Sequence, residues 1–271
     1  MGFAISLNGQ LRAATHRRQR AAHTAALIVR GSPINPDNLF HNMPSASGVL
    51  WASPLTTCSR RAIAACVEAG AAFSFVPIHL PKVEHKLPEF VALNPYGKVP
   101  AWRDAEGYDL YESRAIMQHV CEGTPLIPST AKERALMNQW LWVDQCSFKA
   151  AFDPIFYQKV LKKQPLNEEQ CAKSKVELEA TLDNMEATLS KSGLDYLASA
   201  TFSMADLTFL CYFQVFGPAG LADTLETRPN LKAWWERCSA REAWQYTLSM
   251  KFIEEKKLPE DPLGREKPWD P

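Results

Sequence analysis

A hydroxyl group and a thiol stand close together where the first helix of this sequence is predicted to begin. Thr56, Thr57 and Cys58 precede a run from Arg60 to Gly70 that carries apolar residues at helical spacing and stops on a glycine. The N-terminus of a helix has partial positive charge and stabilises an anion beside it. The Thr56 hydroxyl can donate to such an anion, and Cys58 is a candidate nucleophile. The alternatives are an ordinary N-cap for either threonine and a small buried side chain for Cys58.

A second helix N-terminus combines an acid with a hydroxyl. Glu112 and Ser113 open a predicted helix that runs to about Cys121. The free N–H groups at a helix start suit a carboxylate, and the Glu112 carboxylate can accept an ammonium group. Taken alone, the pair is equally well explained as a cap with a favourable charge.

The segment Ser203-Met204-Ala205-Asp206 has the spacing of a capping box. Phe202 and Leu207 can form the hydrophobic staple that goes with it. We predict that a helix begins there and that Asp206 is structural, not catalytic.

The elements that must position these residues change in kind along the chain. Short apolar or alternating strands are predicted at 49–51, 73–78, 98–102 and 108–111, with the first helix between the first two strands as in a βαβ unit. Helical periodicity then persists through 132–163, 167–191, 203–216, 229–239 and 241–248. The Pro- and Thr-containing stretch 123–130 is the natural linker between an α/β half and an all-α half.

Composition excludes several classes of protein. The 271 residues contain 30 Lys+Arg and 30 Asp+Glu, so no net positive charge attracts nucleic acid or an anionic membrane. The seven cysteines are scattered and form no C-x-x-C pair, which argues against a zinc site or a disulfide framework and favours a reducing compartment. No metal site is expected. A phosphate-binding glycine loop, H-E-x-x-H and G-x-S-x-G are all missing from the sequence. No apolar run is long enough to span a bilayer.

The first 36 residues contain several arginines but no Asp or Glu before Asp37. This pattern is typical of an organellar transit peptide, for a mitochondrion more than a plastid, and a disordered basic tail is the alternative. The protein is expected in the cytoplasm, or in an organelle if the segment acts as a transit peptide. We predict an extension over 1–46, an α/β domain over 47–123, a linker over 124–131, a helical domain over 132–248 and an extended tail over 249–271.

Taken in order, the motifs resemble those of the cytosolic glutathione transferases, most of all the phi class. The resemblance covers roughly residues 48–247 and rests on these segments: 53–61 (SPLTTCSRR), 84–86 (EHK), 94–101 (NPYGKVPA), 111–116 (YESRAI), 152–154 (FDP) and 202–207 (FSMADL). It implies a thioredoxin-like α/β domain followed by an all-α helical domain. It also implies a homodimer, with one glutathione site and a neighbouring hydrophobic substrate site in each subunit.

The resemblance assigns roles to particular residues. Thr56 takes the place of the usual catalytic serine and would stabilise the glutathione thiolate, while glutathione is the cosubstrate and no cofactor is bound. The residues expected to bind glutathione are His85, Lys86, Lys98, Val99, Pro100, Glu112 and Ser113. Pro100 would follow a cis peptide bond, although a trans proline at a strand edge is the alternative. Lys98 departs from the family's usual Gln, so a charge-assisted contact would replace a neutral one there.

Aromatic residues early in the second half fall where the family lines its substrate pocket. The candidates for that pocket are Leu55, Phe148, Phe152 and Phe156. Aromatic residues at helical spacing are as often part of a core. The predicted function is conjugation of glutathione to hydrophobic electrophiles in detoxification, with reduction of organic peroxides as a further activity. The alternatives are a non-catalytic ligand carrier or assembly module of the same fold, and a thiol transferase that uses Cys58.

Overall fold

A four-stranded sheet organises the first half of the chain. The structure, a computed structural model, describes residues 46–250, so the predicted N-terminal extension and most of the predicted tail lie outside the described residues. The strands are β1 (Ser47–Ala52), β2 (Ala72–Pro77), β3 (Ala101–Asp104) and β4 (Asp109–Tyr111). All four strands predicted from the sequence are present, with boundaries shifted by a few residues.

The order of the strands across the sheet is β2-β1-β3-β4. β1 and β2 are parallel, while β3 is antiparallel to both β1 and β4. A parallel pair requires a crossover connection, and the helix α1 (Thr57–Glu68) provides it. The predicted βαβ unit followed by a hairpin is therefore confirmed.

Two further helices complete the α/β half. α2 (Pro88–Leu93) follows two short 3-10 turns at Leu80–Lys82 and Glu84–Lys86, and α3 (Ser113–Cys121) follows β4. Helix α2 is not among the helices predicted from the sequence. The signals in the sequence that mark this helix are a proline at its first position and the apolar residues Phe90 and Leu93, whose side chains are buried in the structure.

The second half is helical. Its helices are α4 (Ala131–Val143), α5 (Lys149–Ile155), α6 (Glu168–Ser192), α7 (Met204–Phe213), α8 (Phe216–Ala219), α9 (Pro229–Ser239) and α10 (Glu242–Ser249). π-helical turns at Asp144–Phe148 and Phe156–Val160 flank α5. Pro154 lies inside α5, where it has no N–H to donate, so the helix predicted to run through 132–163 is irregular at this point.

Helix α7 is the centre of the helical half, because every one of its residues is buried. The capping box predicted at its start is confirmed: the Asp206 carboxylate accepts a hydrogen bond from the Ser203 backbone N–H at 3.0 Å, and Ser203 caps the helix. The same carboxylate accepts hydrogen bonds from the Leu197 backbone N–H and the Trp234 indole N–H, each at 2.9 Å. Asp206 therefore ties α7 to α9 and has the structural role predicted for it. None of the helices within residues 46–250 has the length and apolar character needed to cross a membrane.

Candidate functional site

The strand register brings several of the predicted site residues to one edge of the sheet. Trp51 of β1 lies opposite Ala101 of β3, and Ala101 in turn lies opposite Tyr111 of β4. Thr56 follows β1 after a short turn, Val99 and Pro100 directly precede Ala101, and Glu112 directly follows Tyr111. Segments that are distant in sequence therefore meet at the same edge because their strands pair in this register.

Thr56 is the N-cap residue of α1. Its side-chain oxygen Oγ1 accepts a hydrogen bond from the Ser59 backbone N–H at 3.2 Å. The hydroxyl also contacts the Ser59 hydroxyl at 2.8 Å and the Ser53 carbonyl oxygen at 3.3 Å. The side chain is half-buried, so it lies at the positive end of α1 while part of it still faces outward. The structure thus has the cap that the alternative interpretation named, in a place where a hydroxyl can also meet an anion.

Glu112 and Ser113 form the start of α3. Glu112 is exposed and has a backbone φ of 70°, a conformation that is costly for a residue with a side chain. Ser113 is buried, and its hydroxyl oxygen accepts a hydrogen bond from Nη1 of Arg61 at 3.0 Å. Because that oxygen already has a donor, its own proton is left to donate to another group.

A turn that contains His85 and Lys86 packs against the segment before β3. Nζ of Lys86 donates to the carbonyl oxygens of Gly97 at 2.9 Å and Tyr96 at 3.3 Å. Gly97 has a positive φ of 54°, and an added Cβ would come within 2.9 Å of the His85 carbonyl oxygen. The close packing of these two turns therefore depends on a glycine at position 97.

Lys98, Val99 and Pro100 follow Gly97 and lead into β3. The side chain of Lys98 is exposed, and the Val99–Pro100 peptide bond is cis, as the family resemblance implied.

Burial of the His85 ring, together with the positive charges of Lys86 and Lys163, holds the pKa of His85 below its ordinary value. His85 is therefore a neutral hydrogen-bonding group at neutral pH in the free protein.

Most of the cysteines are unsuited to act as nucleophiles. Burial raises the pKa of Cys211 to about 12 and raises the pKa values of Cys66, Cys121 and Cys238 as well. Cys58 is half-buried near the start of α1, and Cys146 is exposed. Of the thiols, Cys58 alone lies close to Thr56 in the sequence, and it is the one that can compete with Thr56 for a role at the helix N-terminus.

Two of the residues predicted to line a substrate pocket lie in the core instead. Phe148 and Phe152 are both fully buried. The centroid of the Phe148 ring lies 5.1–6.3 Å from the ring centroids of Phe152, Phe209, Tyr212, Phe213 and Phe216. In the structure neither side chain faces a pocket, contrary to the prediction, because both are fully buried and their rings pack against aromatic side chains of α7 and α8. Phe156 is half-buried and Leu55 is 63 % exposed, so both have surface available to a ligand.

Behind the site lies a buried ionic network that the sequence analysis missed. Arg61 of α1 and Asp144 both have fully buried side chains, with Nη2 of Arg61 3.5 Å from Oδ2 of Asp144. Arg114 of α3 also pairs with Asp144, at 2.6 Å, and the Thr208 hydroxyl donates to the same oxygen. An arginine that precedes the apolar run 62–66 was a sign of a buried cation, but nothing in the sequence identifies Asp144 as its partner.

Comparison with known proteins gives matches over most of the described chain. Residues 46–122 match the domain family described as glutathione S-transferase, N-terminal domain, and residues 149–242 match glutathione S-transferase, C-terminal domain. The chain is 36 % identical to glutathione S-transferase F10 of Arabidopsis thaliana over 202 residues, covering 71 % of this chain and 93 % of that protein. It is 34 % identical to glutathione S-transferase 3 of Zea mays, covering 74 % of this chain and 92 % of the relative.

Solved structures show the same fold. Glutathione transferase F7 from Populus trichocarpa superposes with a TM-score of 0.68 at 32 % identity, covering 74 % of this chain and 97 % of that one. Glutathione S-transferase I from maize, solved in complex with an atrazine–glutathione conjugate, superposes with a TM-score of 0.68 at 29 % identity, covering 74 % of this chain and 96 % of that one. The similarity thus includes both the α/β half and the helical half.

Proposed function

This chain belongs to the glutathione S-transferase family, and on that premise we propose that Thr56 is its catalytic residue. The protein is a glutathione transferase that joins the thiolate of glutathione to electrophilic substrates, with glutathione consumed as cosubstrate. The sulfur forms a bond to an electrophilic carbon, and the electron pair of the broken bond departs with the leaving group. The protein must therefore make the glutathione thiol ionise at neutral pH.

The observation that carries the proposal is the position of the Thr56 hydroxyl at the N-terminus of α1. A free thiol has a pKa of about 8.5, and lowering it by about two units takes ~2.7 kcal/mol. A hydrogen bond to a charged group contributes about 1.5–3 kcal/mol, and a helix N-terminus adds ~0.3–1 kcal/mol. One hydroxyl donor and one helix end are together sufficient.

The two ends of glutathione require different partners. We propose that the first N–H groups of α3 and the Ser113 hydroxyl bind the γ-glutamyl carboxylate, while the Glu112 carboxylate accepts the ammonium group. Val99 would offer its backbone N–H and C=O to the cysteinyl part, next to Pro100.

The glycyl carboxylate would meet His85, Lys86 and Lys98. Two of the three Lys86 ammonium protons are bound to carbonyl oxygens, so one remains for the ligand. Lys98 is exposed and can approach a carboxylate as a charged donor.

Substitution of Thr56 tests the catalytic role. Thr56→Ala should lose most of the conjugating activity toward a chromogenic aryl halide and raise the pKa of bound glutathione, while Thr56→Ser should keep both near the parent values. Thr57→Ala is the matched control, since Thr57 is the next residue and is also half-buried. Equal activity in Thr56→Ala and Thr56→Ser would remove Thr56 from the mechanism.

Cys58 is the alternative reactive group at the same helix end. A thiol transferase would form a mixed disulfide between Cys58 and glutathione and release it to a second thiol. Cys58→Ser separates the two chemistries: loss of glutathione-dependent disulfide exchange with conjugation intact would assign exchange to Cys58. Loss of conjugation in Cys58→Ser would contradict our assignment of Thr56.

The hydrophobic substrate would bind beside the sulfur, and Leu55 and Phe156 are the predicted pocket residues whose surfaces are accessible.

We also propose that the protein is a homodimer, as is typical of the family. Tyr96 and Trp142 are large side chains more than half exposed on this single chain. Light scattering on the purified protein measures the mass, and a monomer at micromolar concentration would contradict the dimer.

For the domain organisation we propose an α/β domain over 47–123, a linker over 124–131 and a helical domain over 132–248. For the cellular location, the Arg-rich residues 1–36 allow import into an organelle, with the cytoplasm as the alternative. N-terminal sequencing of the mature protein distinguishes the two, because an uncleaved Met1-Gly2 start would contradict removal of a transit peptide.

A further inference from the structure

A second, buried hydroxyl contacts the hydroxyl of Thr56. Ser59 belongs to the first turn of α1, and its side chain is fully buried. Its oxygen lies 2.8 Å from Oγ1 of Thr56 and accepts a hydrogen bond from the Ser53 backbone N–H at 3.1 Å. The backbone N–H of Ser59 donates to Oγ1 of Thr56 at 3.2 Å. Ser59 therefore contacts the Thr56 oxygen through both its main chain and its side chain.

The direction of the bond between the two hydroxyls decides where the Thr56 proton points. The oxygen positions allow Thr56 to donate to Ser59 at 2.8 Å, and the Ser53 carbonyl oxygen is a second internal acceptor at 3.3 Å. With this arrangement the only proton of the Thr56 hydroxyl is directed into the protein. It is then not available to an anion outside.

Reversing that bond frees the proton without moving either oxygen. A hydroxyl oxygen has two lone pairs and one proton. If Ser59 donates to Thr56, the O–H and the N–H of Ser59 fill both lone pairs of Oγ1. The Thr56 proton can then be donated outward, with the Ser53 carbonyl oxygen at 3.3 Å as its one competing acceptor inside the protein. Donors that face an oxygen also polarise its own O–H group, which strengthens the bond that this group makes.

We propose that Ser59 is a positioning residue for formation of the thiolate. When glutathione binds, the hydrogen bond between the two hydroxyls reverses, Ser59 donates to Thr56, and Thr56 donates to the sulfur. The thiol proton leaves to solvent, and no covalent bond to the protein forms or breaks. This inference rests on the proposed role of Thr56.

A double-mutant cycle over Thr56→Ala, Ser59→Ala and the double variant tests the inference. The readout is the pKa of the thiol of bound glutathione, followed by the ultraviolet absorbance of the thiolate and by the pH profile of kcat/KM. Ser59→Ala should raise this pKa by about half a unit, a loss of roughly threefold in kcat/KM below the pKa. The KM for glutathione should change little. In the Thr56→Ala background, the Ser59 substitution should have no further effect on the pKa.

Ser59→Ala also removes the acceptor of the Ser53 N–H, so its folding must be separated from its chemistry. Ser59→Cys places a weaker donor at the same position, with a slightly larger side chain, and it should give an intermediate pKa. The pKa is measured on protein that has bound glutathione, so a lower unfolding temperature does not change it. Thr57→Ala, at the same helix start and outside the hydroxyl pair, is the control and should leave the pKa unchanged.

The outcomes separate this inference from the proposed function. If Thr56→Ala raises the pKa but Ser59→Ala does not, or does so equally in both backgrounds, Ser59 has no role through Thr56 and the inference is wrong. If Thr56→Ala leaves the pKa unchanged, the catalytic role of Thr56 fails, and the role of Ser59 fails with it.

Discussion

Loss of the Asp144 carboxylate should destabilise the protein more than loss of any exposed acid. Asp144 follows α4 in the helical half, and its carboxylate pairs with Arg61 of α1 and Arg114 of α3 in the α/β half. The guanidinium of Arg61 is fully buried and stays protonated at any pH at which the protein folds. In Asp144→Ala it would remain as a buried positive charge with no counter-ion from position 144.

The expected cost follows from that burial. Removing one partner of a buried ion pair typically costs about 3–5 kcal/mol, while whole domains are stable by only ~5–15 kcal/mol. Asp144→Asn keeps an oxygen that can accept from Arg114 and Thr208 but removes the charge, so its cost should be smaller. The difference between the two variants measures how much of the effect comes from lost hydrogen bonds.

Urea unfolding followed by tryptophan fluorescence is a suitable assay, since the chain has eight tryptophans. Asp223→Ala is the control, because Asp223 also forms an ion pair, with Lys175, but its side chain is mostly exposed. Its unfolding midpoint should match that of the parent. Equal midpoints for Asp144→Ala and Asp223→Ala would refute the argument. Because Arg61 also donates to Ser113, folded Asp144→Ala should bind glutathione more weakly.

Three more predictions concern single residues. The pKa of His85 is held low by burial and by Lys86 and Lys163, and an anionic ligand favours its protonated form, so S-hexylglutathione should bind more tightly as the pH falls from about 7.5 to about 5.5. Calorimetry should show this trend in the parent and not in His85→Gln; the same trend in both would exclude His85. Asp206→Ala removes a helix cap and the acceptor of the buried Trp234 N–H, and should cost about 3–5 kcal/mol in urea unfolding. A cost below about 1 kcal/mol would contradict its structural role. Iodoacetamide should modify the folded protein only at the two accessible thiols, those of Cys58 and Cys146. Mass spectrometry would contradict this if it found equal modification of the buried thiols, which are those of Cys66, Cys121, Cys171, Cys211 and Cys238.

Features set by neighbours in the chain could be predicted from the sequence. The capping box at Ser203 and Asp206 depends on residues three positions apart, and the strand–helix–strand order depends on local periodicity and turn residues. Thr56 at the start of α1 was likewise visible, because a helix start is marked by residue types on either side of it.

Features set by packing could not be predicted. Aromatic residues at helical spacing look the same whether they face a pocket or a core, and it is the packing of neighbouring helices, α7 and α8 among them, that buries Phe148 and Phe152. The partner of Arg61 comes from the other half of the chain, and the contact of Ser59 with Thr56 depends on side-chain directions at one helix turn. The sequence by itself determined the four strands, most of the helices, their order and the family, because these depend on local pattern and ordered motifs. Tertiary structure alone decided which side chains are buried and which charges pair, because burial and pairing depend on what the rest of the chain places around each residue.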